Sequence, residues 1–221
     1  MFERRVNLSM NLKNYFWYFS KALSPRLCDQ IYKYATGRQT DKAVIGIMNT
    51  DRDLTSNPLT SVERKSMKKK RDSNIAWLDE EWINREINPY INIANKNAGW
   101  NFQWDYSEPC QFTEYRKGQY YDWHCDSWKD AYRGSNMKIV GKIRKLSMTV
   151  SLSNSTDYTG GELEFNYRDL EPGKDKAVTC PALRERGSII IFPSFVWHRV
   201  TPVKSGARHS LVSWHLGHPF L

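Results

Sequence analysis

The chain has 221 residues, 40% of them hydrophobic, including nine Trp, twelve Tyr and nine Phe. That length suits one domain built around one core, and that aromatic content excludes a disordered chain. Lys and Arg outnumber Asp and Glu by 33 to 24, a formal net charge of +9, so the surface suits anionic partners: nucleic acid, acidic peptides or small dicarboxylates.

Taken in chain order, the aromatic run Tyr15-Phe16-Trp17-Tyr18-Phe19 is too short for a signal-peptide core, and no stretch reaches the roughly 18 apolar residues of a membrane span. The expectation is a cytoplasmic protein without a membrane partner. Ser24-Pro25 then supplies an N-cap and a first-turn proline, and Leu27, Ile31 and Tyr34 recur at helical spacing, which predicts a helix over about Ser24 to Thr36. Asn49 to Asp72 is polar and includes the basic run Glu63 to Arg71. It reads as a long mobile loop, either a solvated segment or a lid over a substrate. Asp79 is placed to cap a second helix whose apolar face is Trp82, Ile83, Ile87, Tyr90, Ile91 and Ala94, with Pro89 expected to kink or split it. The four cysteines, Cys28, Cys110, Cys125 and Cys180, form no CxxC pair and read as reduced thiols.

Beyond Trp100 the hydrophobic period changes to two. Lys145 to Leu152 alternates polar and apolar residues, and further strands are predicted over Gln111 to Arg116, Gln119 to Trp123, Glu162 to Tyr167, Ser188 to Phe192, His198 to Val203 and Arg208 to His215. The class is α+β with the helices first and a sandwich or barrel after them. The expected division is one domain, with helical support and the mobile loop over residues 1–105 and the β core over residues 106–221.

His124-Cys125-Asp126 ends one of these strands, and alternation puts the His124 and Asp126 side chains on one face, with Cys125 facing away. A third ligand from another strand would complete a two-His-one-carboxylate set, which leaves open positions on an octahedral metal. His198, just after the apolar strand Ile189 to Pro193, is the candidate. His209, His215 and His218 fit less well and read as core or surface histidines. An HxD alone recurs by chance, but here it stands inside Tyr115-Arg116-Lys117-Gly118-Gln119-Tyr120-Tyr121-Asp122-Trp123-His124-Cys125-Asp126. That YxxGxxYxxHxD pattern resembles the prolyl 4-hydroxylase branch (the PKHD-type hydroxylases) of the Fe(II)- and 2-oxoglutarate-dependent oxygenases. The resemblance extends to Gly160-Gly161-Glu162-Leu163, to Ile191-Phe192-Pro193 with His198-Arg199-Val200, and to Arg208 with Ser210.

The resemblance implies a double-stranded β-helix, or jelly-roll, core with N-terminal supporting helices. It also implies Fe(II) on His124, Asp126 and His198, 2-oxoglutarate as co-substrate and ascorbate as an accompanying reductant. Arg208 and Ser210 would hold the C5 carboxylate, to which a guanidinium can present a fork that Lys lacks, and Tyr115 would also bind the co-substrate. Tyr121 and Trp123 read as core aromatics, Trp214 as a pocket wall sharing a strand face with Arg208, and Trp197 as facing either way. Arg144 and Lys145 read as a solvated strand start, the alternative being that one of them points into a polar barrel interior. The implied reaction is hydroxylation of prolyl residues in a peptide or protein, with release of succinate and CO2. One alternative is oxidative demethylation of nucleic acid, favoured by the charge, although no second arginine follows Arg208 in its strand. The other is a non-redox metal barrel, a zinc hydrolase or ligand-binding module, which would have no use for the Arg208–Ser210 pair.

Overall fold

A computed structural model of the chain describes residues 14–38, 41–43, 60–127, 130–166 and 177–220. Strand β1 (Trp17–Phe19) leads into helix α1 (Pro25–Thr36), whose N-cap Ser24 accepts the Leu27 N–H as expected. After the short β2 (Asp41–Lys42) comes the first departure from expectation. Residues 49–59 of the predicted loop lie outside the described residues, but Ser61–Lys70 is a helix, α2. Thr60 and Glu63 form a reciprocal capping box at its start. Two otherwise orphaned N–H groups are thus satisfied, and Lys68, Lys69 and Lys70 suit the negative end of the helix dipole. The charge run is therefore a structured element and not a loop.

Helix α2 passes directly into β3 (Arg71–Asp72), followed by β4 (Asn74–Leu78) and α3 (Glu81–Asn97). Glu80, not Asp79, occupies the N-cap of α3, with no side-chain cap bond. Pro89 lies inside a helix assigned without interruption, against the expected split. Ile83, Ile87, Ile91 and Ala94 are fully buried on one face, and this packing offsets the backbone hydrogen bond that proline removes.

The remaining strands are β5 (Tyr106–Ser107), β6 (Cys110–Arg116), β7 (Tyr120–His124), β8 (Ile143–Ser151), β9 (Tyr158–Gly160), β10 (Leu163–Asn166), β11 (Ala177–Thr179), β12 (Ile189–Pro193), β13 (Trp197–Val200) and β14 (Val203–Gly217). Among the described residues they form two antiparallel sheets. The larger runs β1-β12-β8-β14-β6-β4-β2, with β5 and β9 also paired to β14; the smaller runs β11-β10-β13-β7-β3. The fold is α+β with a double-stranded β-helix core. Strands from the first half of the chain extend both sheets: β1, β2 and β4 join the larger and β3 the smaller.

Each face of the larger sheet has its own core. Helices α1 and α3 bury Ile31, Ala35, Ile83, Ile87 and Ile91 against Phe112, Leu146, Met148, Val150 and Leu211. A second cluster includes Tyr115, Phe165, Ile190, Phe192 and Val200, drawn from both sheets. Alternation lets one strand serve two cores: Ile189 and Ile191 of β12 join the first and Ile190 and Phe192 the second, as Phe112 and Tyr115 of β6 do.

Candidate functional site

The predicted metal ligands meet between the sheets. β7 ends in His124, and His198 on β13 stands opposite it in the antiparallel register, which brings the ring centroids to 4.1 Å. Asp126 follows two residues later on a segment pinned to the β12–β13 turn: the N–H groups of Asp126 and Ser127 both donate to Ser194 O at 2.9 Å. Ser194 Oγ in turn lies 2.9 Å from Ser147 Oγ on β8. One ligand atom from each of His124, Asp126 and His198 lies within 4.8 Å of the other two. Cys125 points elsewhere, its thiol 3.1 Å from Phe195 O.

The hydrogen bonding around the triad suits a cation. His124 Nδ1 is 2.7 Å from Asp122 O, and His198 Nδ1 is 2.9 Å from Val196 O. A carbonyl only accepts, so Nδ1 of each ring carries a proton and Nε2 is left as the atom available to a metal. Those Nε2 atoms face the two Asp126 oxygens at 3.7 and 3.5 Å. Burial, reinforced by His198, holds the His124 pKa well below its ordinary value. Burial would raise the Asp126 carboxyl, but the His198 and His124 imidazoles and the Arg144 guanidinium bring it down to about 2. Two imidazole nitrogens and an ionised carboxylate converging on one point form a donor set that fits Fe(II).

Arg208, Ser210, Val212 and Trp214 of β14 all line the cavity beside the triad. The residues between them face the helices: Leu211 enters the helix-side core, and His209 packs against Tyr32 of α1. Arg208 Nη1 donates to Ser210 Oγ at 3.2 Å, and its guanidinium carbon is 5.6 Å from the ring of Tyr115, its cross-strand partner on β6. No ion pair involves Arg208 among the described residues, although it is buried. Gly160 and Gly161 explain the GGxL turn. Both have positive φ, and a Cβ on Gly161 would stand 3.1 Å from Arg208 Cδ. Only glycine lets the turn lie this close to the arginine stem.

Arg144 and Lys145 correct the expectation of a solvated strand start. Both are buried. The register of β8 on β14 passes from Leu146 to Arg144 and skips Lys145, so this bulge turns Arg144 back to the cavity side. Arg144 donates to Glu108 Oε2 from Nε at 3.0 Å and Nη2 at 2.5 Å, and its guanidinium carbon is 3.9 Å from the Trp214 ring. Burial opposes its charge, but Glu108 prevails and raises the pKa. Lys145 Nζ lies 3.4 Å from the ring centre of Phe220, and burial lowers its pKa to about 8. Of the residues read as core aromatics, Tyr121 lines the cavity and stacks on His124 at 3.5 Å, whereas Trp123 lies against Arg199. Arg71 and Gln111 also line the cavity and had no sequence signal: Arg71 ends a run of like charges, and Gln111 opens a strand read only for its alternation. His209 and His215 stay outside the site, the first bonded to Glu114 and Ser153 and the second to Ser107.

Residues 110–216 match the model of the 2OG-Fe(II) oxygenase superfamily. That segment belongs to the superfamily. Fe(II) and 2-oxoglutarate are accordingly its cofactors. The oxygenase is 34% identical over 106 residues to a PKHD-type hydroxylase of Janthinobacterium sp. (strain Marseille), a match that covers 48% of this chain and 42% of that one. It is 45% identical over 69 residues to a PKHD-type hydroxylase of Hyphomonas neptunium, covering 31% of this chain and 27% of that one. The chain thus spans less than half the length of these curated relatives. Among solved structures, its fold resembles a Pseudomonas putida prolyl-4-hydroxylase with TM-score 0.61 and 18% identity, covering 92% of this chain and 93% of that one. It also resembles the viral collagen prolyl hydroxylase of Paramecium Bursaria Chlorella virus-1 in its 2OG complex, with TM-score 0.59 and 18% identity, covering 93% and 97%. No helix among the described residues is long and apolar enough to cross a membrane.

Proposed function

We propose that this oxygenase hydroxylates prolyl residues in a peptide or protein substrate, with His124, Asp126 and His198 as the metal ligands and Arg208, Ser210 and Tyr115 as the co-substrate clamp. The observation that carries the reading is the pairing, in one cavity, of a converging His-Asp-His donor set with a buried guanidinium that pairs with no carboxylate among the described residues. A zinc hydrolase would need the first and has no use for the second. The prolyl assignment is supported by the YxxGxxYxxHxD motif and by the kinship to PKHD-type hydroxylases. We read the chain as one oxygenase domain, residues 1–105 supporting a core over residues 106–221.

When bound, Fe(II) and 2-oxoglutarate supply the oxidising chemistry, with succinate and CO2 as by-products. The protein's own part is positional. Ser194 fixes the Asp126 backbone, and the Asp122 and Val196 carbonyls fix the tautomers of the two histidines, so the ligands are aimed before any metal arrives. Arg208 and Ser210 offer a forked cation and a hydroxyl on the cavity wall, matched to a carboxylate. Trp214, Tyr121 and Leu163 wall the space beside the triad with apolar surface that excludes water.

The test is anaerobic titration with Fe(II) and 2-oxoglutarate, followed by the visible charge-transfer band, then succinate release in air. His124→Ala should lose both signals. Arg208→Ala should keep iron binding and weaken 2-oxoglutarate by about 10- to 100-fold, the worth of a charge-assisted hydrogen-bond pair. A wild-type protein that binds iron but shows neither band nor succinate would overturn the oxygenase chemistry.

A further inference from the structure

A second guanidinium lines the same cavity. Arg71, at the junction of α2 and β3, is buried. Its Nε donates to Ser73 Oγ at 2.9 Å and its Nη2 to Gln111 Oε1 at 2.7 Å, and its carbon lies 4.6 Å from the ring centre of Tyr121, the residue stacked on His124. Both hydrogen-bond partners are neutral, and among the described residues no ion pair involves Arg71. A buried cation without a counter-charge is costly and normally finds an anion. The 2-oxoglutarate C5 carboxylate does not meet that need, because Arg208 and Ser210 occupy a different strand and already form its clamp.

We infer that Arg71 is a second anion site, which binds an acidic side chain of the polypeptide substrate close to the residue that is oxidised. The inference rests on the proposed peptide-oxygenase function and adds a specificity to it. Two features favour an acidic polypeptide. Arg71 is one buried fork at a cavity wall, matched to a single carboxylate. The helix leading to it, α2, exposes Lys65 and Lys69, positive charge suited to further acidic residues of a polypeptide. Lys68 and Lys70 are partly engaged, by Asp72 at 3.5 Å and Asp122 at 3.7 Å. A nucleic acid would present phosphates along its whole backbone to the outer lysines and would not require a buried fork.

The test measures binding, by anisotropy, of fluorescent proline-centred peptide pools to the full chain, each pool carrying Glu or Gln at one position flanking the proline. The wild type should favour the Glu pools by about tenfold at one flanking position, roughly the worth of one charge-assisted hydrogen bond. Arg71→Gln should abolish that preference, and Arg71→Lys should retain part of it, provided both variants keep the wild-type melting temperature. Absence of a Glu preference in the wild type, or its persistence in Arg71→Gln, overturns the inference. So does a loss of 2-oxoglutarate affinity in Arg71→Gln with peptide preference intact, which would give Arg71 to the co-substrate. Arg71-dependent binding of a single-stranded RNA decamer with no peptide binding overturns the choice of polypeptide. Replacing the central proline by alanine separates the two readings: a Glu preference that survives the change leaves the acidic site standing and removes the prolyl assignment.

Discussion

The cavity holds its charges by different means, and each means has its own vulnerability. Arg144 is neutralised by Glu108, which also accepts the Tyr132 hydroxyl at 2.8 Å. Glu108→Gln would leave the guanidinium buried without its counter-charge, and one broken buried pair costs about 3–5 kcal/mol. Urea denaturation should show a loss of that size, and a loss under about 1 kcal/mol would mean that water reaches Arg144. Such pairs are invisible in sequence, because Glu108 and Arg144 are separated by the entire HxD segment and nothing in either neighbourhood marks a partner. The convergence of His124 and Asp126 was legible for the opposite reason: a spacing of two on a strand fixes a common face. Arg208 and Ser210 follow the same rule. Arg144 escaped it, since one bulged residue reverses every facing inferred by counting.

At the scale of elements, strands were legible wherever polar and apolar residues alternate: β6, β7, β8 and β12 fall within a residue or two of expectation, whereas β14 begins five residues earlier than expected, at Val203. Helix α2 was missed although its capping box stands in the sequence as Thr60-x-x-Glu63, because a mean polarity this high hides a helix whose support is local hydrogen bonding and not an apolar face. Strand β4 was missed because Asn74–Leu78 is short and follows a run of charges. The turn before β10 carries a specific liability. In Gly161→Ala the new methyl would press on Arg208 Cδ and on Val203 Cγ2, 3.0 Å away, at a backbone φ of +63°. The left-handed conformation alone costs roughly 1–2 kcal/mol. The substitution should therefore lower both the urea midpoint and the 2-oxoglutarate affinity measured by titration. An affinity unchanged in the folded variant would show that the Arg208 stem relaxes freely.

For the whole molecule, buried imidazoles set the acid limit. Burial lowers the pKa of His215 to about 3 and also lowers that of His209, where the Glu114 carboxylate only partly compensates. A histidine depressed on folding is neutral in the native state, while the unfolded chain takes up a proton below about 6.5. Stability from this source is therefore complete above pH 6.5 and is lost as pH falls from there toward 3. The slope is at most about 1.4 kcal/mol per pH unit for each site. Urea midpoints at pH 7, 6 and 5 should fall steadily, and His215→Phe should flatten the decline; an unchanged slope would place the titrating group elsewhere. The global architecture was legible to the extent of its class and core. The contributions of β1, β2, β3 and β4 to the sheets were not, since strands of two to five residues leave little periodic pattern to read.

β14 carries pocket chemistry on its even-numbered positions from Arg208 to Trp214 and helix-layer packing on the odd-numbered ones between them. The two sets can therefore drift independently under point mutation, one under selection for substrate and the other for stability. Length changes have no such freedom. A single inserted or deleted codon between positions 208 and 214 would exchange the two faces downstream at once, bringing packing residues into the pocket and Trp214 under the helices. Homologous enzymes that diverge in substrate should accordingly differ along this strand by replacement and almost never by gaps.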